Sequence, residues 1–61
     1  MNVFTLNGQA YEIYNTTQDM LHAVKLGQKG QRLSPKNFSN LLNLTPAKFE
    51  TLKKIGVIKT A

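Results

Sequence analysis

The side chains best suited to chemistry in this sequence are its basic ones. Eight Lys and Arg residues stand against three Asp and Glu residues, which gives a formal net charge of +5 at pH 7. Lysine and arginine bind phosphate oxygens and gain from counterion release, so this balance favours a polyanionic partner. The same charges also keep a small protein soluble when they lie on a solvated face, and that second interpretation stays open.

Groups suited to catalysis or metal binding are sparse. The chain has no cysteine and a single histidine, His22, which cannot hold a structural metal by itself. Gly27, Lys29 and Gly30 have part of the spacing of a phosphate-binding loop but lack its terminal Gly-Lys-Ser/Thr, so they are expected to form an exposed linker. No set of nucleophile, base and orienting group can be assembled. The sequence therefore predicts no enzyme, no metal site and no cofactor.

The length limits the architecture that can position these groups. A chain of 61 residues buries only roughly 60% of its unfolded surface, so residues 1–61 are expected to form one small domain with one core. The apolar runs are too short to span a membrane. The first residues lack the basic start and apolar stretch of a secretory signal, so a cytoplasmic location is expected.

The N-terminal segment carries a strong hairpin signal. Asn7 and Gly8 lie between two runs in which apolar residues alternate, and both turn positions of such a hairpin require positive φ. A two-residue turn fixes the register and pairs Phe4 with Tyr11, while Tyr14 points to the opposite face, toward an edge or a partner. One face is then apolar and must be covered. That face consists of Phe4, Leu6, Tyr11 and Ile13.

Capping signals predict three short helices after the hairpin. Thr16 is a suitable N-cap for the first helix, which ends at Gly27. Ser34 and Thr45 each precede a proline, and this pairing of a capping hydroxyl with proline at the first helical position is favoured at helix starts. The expected helices cover residues 16–27, 34–43 and 45–55.

The expected fold is therefore an α+β domain. It has an N-terminal β-hairpin followed by three short helices. Residues 57–60 alternate weakly and are compatible with a C-terminal strand beside the hairpin.

The last two predicted helices carry the apolar pattern of two short helices that cross at a tight turn. Such a pair needs a large and a small residue at the crossing, a turn residue that tolerates positive φ, an apolar plug, and apolar residues facing back from the second helix. These positions are occupied by Phe38, Ser39, Leu42, Asn43, Leu44, Phe49 and Leu52. Over residues 36–54 the pattern resembles the helix-turn-helix of phage repressor and Cro-type proteins.

The sequence departs from that family at three positions. Asn43 stands where the family usually has glycine, and Ser39 where it usually has alanine. Pro46 removes a backbone donor and a potential base-reading side chain near the start of the recognition helix.

This resemblance implies a small phage- or prophage-type transcriptional regulator that reads duplex DNA with the helix over residues 45–55. Its outward side chains would meet base edges and phosphates, and basic residues before it would add phosphate contacts. A reader this small buries little surface, so a homodimer or a second protein partner is expected. The implied DNA-binding residues are Lys29, Arg32, Lys36, Thr45, Ala47, Lys48, Glu50, Thr51, Lys53 and Lys54.

A protein-interaction module is the alternative from a different functional class. In that case the chain would bind and modulate a host or partner protein. Glu50 and Pro46 lie in the face that would read DNA, and the edge of an amphipathic hairpin can add to another sheet. RNA association, supported by charge alone, ranks below both.

Overall fold

The computed structural model describes residues 2–60, in which one helix lies against a five-stranded antiparallel sheet. The strands are β1 (Val3–Leu6), β2 (Gln9–Thr16), β3 (Leu21–Lys25), β4 (Leu41–Leu44) and β5 (Ile58–Thr60); the helix is α1 (Pro46–Lys54), and a short 3₁₀ helix (Phe38–Asn40) precedes β4. The strand order is β4-β3-β2-β1-β5. The first four strands thus form a meander, and α1 carries the chain from one edge strand to the other.

The predicted N-terminal hairpin and its register are confirmed. Phe4 pairs with Tyr11 and Leu6 with Gln9. Asn7 has φ 50° and Gly8 has φ 82°, the positive values that a two-residue turn of this kind requires.

The third predicted helix and the C-terminal strand are also present. The Thr45 hydroxyl accepts a hydrogen bond from the Lys48 N–H at 3.2 Å and caps α1, and Pro46 is its first residue. Gly56 follows the helix with φ 84°, a left-handed conformation that glycine adopts without steric cost. This turn directs β5 alongside β1, where the two strands pair antiparallel.

The core lies between α1 and one face of the sheet. Phe4 in β1 stacks on Tyr11 with ring centroids 5.6 Å apart. Phe49 of α1 meets Phe4 edge to face at 5.2 Å, a geometry that aromatic quadrupoles favour. The buried cluster consists of Phe4, Leu21, Ala23, Leu44, Phe49 and Ile58.

The helix expected over residues 16–27 is wrong, because this segment contributes strand β3. β3 pairs with β2 on one side and β4 on the other, so it is an interior strand of the sheet. Leu21, Ala23 and Val24 are all buried. A short apolar run of this kind is compatible with an interior strand or with one face of a helix. Here the neighbouring strands β2 and β4 make it a strand.

The helix expected over residues 34–43 is also wrong. Asn37 Oδ1 accepts hydrogen bonds from the Ser39 N–H at 3.0 Å and the Ser39 hydroxyl at 2.8 Å, and Asn40 Nδ2 donates to the Ser34 carbonyl at 3.1 Å. Side chains that bond to nearby backbone in this way compete with an α-helix. The segment therefore forms a loop with one 3₁₀ turn and then enters β4.

The helix-turn-helix resemblance is overturned by the same observations. Within residues 2–60, α1 is the one α-helix, and no second helix crosses it. Asn43, expected in a turn with positive φ, lies in β4. Phe38, expected to pack at the crossing, is 90% exposed. The expected fold class, a hairpin followed by three helices, is replaced over residues 2–60 by a five-stranded antiparallel sheet with one α-helix.

Membrane insertion through a helix is not supported by the part of the chain that the structure describes. Neither α1 nor any other helix there is long and apolar enough to cross a bilayer.

Candidate binding surfaces

The two faces of the sheet have different environments. α1 covers one face, which carries the buried cluster around Phe4. The other face, called here the open face, lies opposite α1. Its residues follow from strand alternation and the pairing register. They are Val3, Thr5, Ala10, Glu12, Tyr14, Asn15, His22, Val24, Leu41, Asn43 and Lys59.

A groove of about 270 Å³ lies on the open face, between the sheet and the segment that joins β3 to β4. Tyr14, Val24, Arg32, Pro35 and Leu41 line it. Val24 is buried (4% exposed) although it lies outside the cluster under α1, whereas Tyr14 is 51% exposed. Because Val24, Pro35 and Leu41 offer only carbon to an occupant, this feature, called the Tyr14 groove, is suited to an apolar group.

The cation that lines the Tyr14 groove is neutralised within the chain. The Arg32 guanidinium donates to the Glu12 carboxylate and forms an ion pair with it. Arg32 is held beside β3 by its bridge to Leu26. The groove therefore offers a phosphate no unpaired positive charge among its lining side chains.

A polar pair borders the same face. His22 Nδ1 and Asn43 Oδ1 lie 2.7 Å apart, within hydrogen-bond distance. The His22 ring is tilted against Tyr14 with centroids 6.0 Å apart. This contact orients the imidazole without giving it a carboxylate partner. Among residues 2–60 no three potential metal ligands come together.

The loop over residues 34–40, called the 34–40 loop, presents an aromatic ring to solvent. The Asn37 and Asn40 hydrogen bonds described above close it, and the Leu41 N–H donates to the Phe38 carbonyl. Phe38 lies at the centre of this closed loop and is 90% exposed. The loop therefore holds Phe38 outward on a hydrogen-bonded backbone.

The ten residues that the resemblance implied for DNA binding fall into two groups. Lys29, Arg32 and Lys36 lie in the segment that joins β3 to β4. The remaining seven lie on α1 or at its cap, on the helix-covered face: Thr45, Ala47, Lys48, Glu50, Thr51, Lys53 and Lys54. Pro35 and Arg32 line the groove on the open face. The sheet thus separates Arg32 from α1.

Several α1 side chains already have partners within the chain. The Thr51 hydroxyl donates to the Ala47 carbonyl at 3.0 Å. Glu50 pairs with Lys53 at 3.8 Å, and the Lys53 ammonium lies 5.7 Å from the centre of the Phe49 ring. The other two lysines of α1, Lys48 and Lys54, have no acidic side chain within 4.0 Å among residues 2–60.

Those two lysines share one exposed side of α1. Lys48, Thr51 and Lys54 follow each other at three-residue spacing, which places neighbours on a helix surface next to one another. All three are exposed. This set, called the α1 stripe, is a row of two cations and a hydroxyl with no acid in it.

The ion pairs leave an excess of unpaired positive charge on the surface. Two of the three acids, Glu12 and Glu50, are in ion pairs. Six lysines have no acidic partner within 4.0 Å among the described residues: Lys25, Lys29, Lys36, Lys48, Lys54 and Lys59.

Sequence reasoning missed the Tyr14 groove and the outward position of Phe38. The capping signal of Ser34 and Pro35 predicted a helix here, and the helix-turn-helix pattern placed Phe38 at a helix crossing. The available signal was the density of Ser and Asn in residues 34–40, which favours turns. That signal predicts the loop but not the groove, which also needs residues from β2, β3 and β4.

Comparisons with protein-family models, with curated proteins and with solved structures gave no match.

Proposed function

We propose that this protein is a small, non-catalytic DNA-binding protein that contacts the phosphate backbone of duplex DNA through the α1 stripe. The observation that carries the proposal is the row Lys48, Thr51 and Lys54, exposed on one side of α1 without an acidic neighbour in the row. The six lysines without acidic partners add a favourable long-range field for a polyanion.

The geometry of the stripe is compatible with two phosphate contacts. Lys48 and Lys54 are six residues apart, so their Cα atoms lie about 9 Å apart along the helix axis. Each carries a flexible side chain that binds phosphate as a point charge. Thr51 lies between them, and its hydroxyl oxygen keeps a lone pair although its proton bonds to the Ala47 carbonyl.

The α1 stripe contacts the phosphate backbone of DNA and does not read base edges. Phosphate contacts position a protein on the duplex without carrying sequence information. The helix pair that would have placed a recognition helix in the major groove is absent from residues 2–60. Weak sequence preference is therefore expected.

The test is a titration of fluorescent random-sequence duplex DNA at about 50 and 200 mM salt, where binding through Z phosphates weakens with a log-log slope of about −0.9Z. Replacing both Lys48 and Lys54 with alanine should reduce the magnitude of the slope by about 1.8, since two phosphate contacts are lost. No binding of the unaltered protein at the lower salt would contradict the proposal.

A matched control removes the same charge elsewhere. The double variant Lys29→Ala/Lys36→Ala lowers the net charge equally but changes the segment between β3 and β4. It should leave the slope nearly unchanged. Equal effects of the two double variants would contradict the assignment to α1 and would leave a diffuse field as the cause of binding.

A second candidate function is a protein-interaction module. The observation that favours it is Phe38, 90% exposed on a loop closed by its own hydrogen bonds, because preorganised aromatic side chains are typical anchors of protein interfaces. An interface of this kind would respond little to salt, whereas DNA binding would weaken steeply.

A further inference from the structure

One chain carries both a protruding aromatic ring and an apolar recess. Phe38 is 90% exposed and does not occupy the Tyr14 groove of its own chain. The groove has a volume of about 270 Å³. A cavity of about 150 Å³ lined by apolar side chains holds a benzene molecule, so the groove has room for a phenyl ring.

The chemistry of the groove also matches a phenyl ring. Val24, Pro35 and Leu41 supply apolar contact, and Tyr14 supplies an aromatic surface against which a second ring packs favourably. The groove cation, Arg32, is already paired with Glu12. An entering ring would therefore not leave an uncompensated charge in an apolar contact.

The ring and the groove lie side by side. Pro35 and Leu41, which line the groove, are three residues before and three residues after Phe38. Three residues span at most about 11 Å, so the Phe38 backbone lies within this distance of the groove lining. In a two-fold dimer each chain presents the same patch to its partner. An axis passing between ring and groove would bring each ring to the groove of the other copy.

We propose that two copies of this chain form a two-fold dimer in which each Phe38 enters the Tyr14 groove of the other copy. The occupant is a second copy because the ring and an apolar recess with room for it occur on one chain, next to one another. This inference is independent of DNA binding, which was assigned to α1 on the other face of the sheet.

The charge of the chain gives the dimer a characteristic salt response. Each copy carries a net charge of +5, so association of two copies is opposed by like-charge repulsion that salt screens. Dimerisation should therefore strengthen as salt rises. DNA binding weakens as the salt concentration rises, so varying the salt concentration distinguishes DNA binding from dimerisation.

The experiment is sedimentation equilibrium of the protein from micromolar to millimolar concentration, at low and at high salt. The expected result is a monomer-dimer equilibrium that shifts toward dimer at high salt. The variant Phe38→Ala should weaken the dimer about 1,000-fold, because two rings are lost and a hot-spot residue contributes about 30-fold each. Since Phe38 is almost fully exposed, its truncation should not unfold the chain. A wild-type protein that stays monomeric throughout would overturn the proposal.

A matched control is provided by Ile55→Ala. Ile55 is 65% exposed and lies at the C-terminal end of α1, away from the groove, so its truncation should leave the dimer unchanged. The groove variant Tyr14→Lys should weaken the dimer as Phe38→Ala does. Equal weakening by Ile55→Ala, or a Tyr14→Lys variant that dimerises like wild type, would overturn the assignment.

A photo-crosslinker locates the ring directly. With p-benzoylphenylalanine in place of Phe38, irradiation should give a product of twice the chain mass, crosslinked to Tyr14, Pro35 or Leu41 of the other copy. Crosslinks between copies at residues outside the groove would overturn the proposed exchange.

Discussion

The Phe49 ring meets the Phe4 ring edge to face, with centroids 5.2 Å apart, and this contact joins α1 to strand β1 of the sheet. Phe4 also stacks on Tyr11, so the three rings link β1, β2 and α1. Replacing Phe49 with alanine should lower the free energy of unfolding by about 3–5 kcal/mol, since a large buried ring leaves a cavity.

A loss of this size would unfold most of the protein, because domains have only about 0.05–0.15 kcal/mol of stability per residue. Urea denaturation followed by circular dichroism would measure it. Truncation of exposed Ile55 is the control and should change stability by less than about 0.5 kcal/mol. A Phe49→Ala variant as stable as this control would show that the core is placed incorrectly.

The N-terminal cap of α1 should contribute to the free energy of unfolding independently of the packing of the helix against the sheet. Thr45→Ala removes the hydroxyl that accepts from the Lys48 N–H, and the free energy of unfolding should fall by about 1 kcal/mol. Thr45→Ser keeps the oxygen and should retain most of that stability. Comparison of the urea midpoints of the two variants tests the cap, and equal losses would assign the effect to the methyl group.

The ion pair between Glu12 and Arg32 should contribute little to stability. Arg32 is mostly exposed, and exposed pairs typically contribute less than about 1 kcal/mol. Glu12→Gln should therefore change the free energy of unfolding slightly at low salt, and the difference should vanish at high salt because the pair is screened. A large loss that persists in high salt would mean that the pair is shielded from solvent.

The hydrogen bonds of the 34–40 loop should affect association more than folding. Asn37→Ala removes the acceptor of two bonds from Ser39, so Phe38 would sample more conformations before binding. Ordering a side chain or loop on association costs about 0.5–1.5 kcal/mol per immobilised group. We expect roughly tenfold weaker dimerisation by sedimentation with a nearly unchanged urea midpoint. Unfolding of this variant would instead make the loop part of the stability of the domain.

The hairpin and α1 were predictable from sequence because their signals are local. Asn7 and Gly8 define the turn, and the alternation beside them defines the register. Thr45 and Pro46 mark the start of α1, and Gly56 marks its end. Each signal acts through the backbone of its own neighbourhood, so it does not depend on how the rest of the chain folds.

β3 and β4 were not predictable in the same way, because distant pairing partners determine them. The apolar residues of Leu21–Lys25 fit one face of a helix, and only the position between β2 and β4 makes them a strand. The candidate surfaces share this limitation. Lys48 and Lys54 could be assigned to one helix from sequence, whereas the Tyr14 groove needs three strands and a loop to exist.

The pairing of β1 with β5 has a consequence for the synthesis of the chain. Residues 4–6 pair with residues 58–60, so this contact closes a loop of nearly the whole sequence. Contacts between residues so far apart in sequence raise the contact order, and a higher contact order is associated with slower folding. On the ribosome, the meander can form early, but β1 lacks its outer neighbour until residue 60 has left the exit tunnel. Until then the nascent chain has an unprotected strand edge, the feature through which chains pair wrongly with one another.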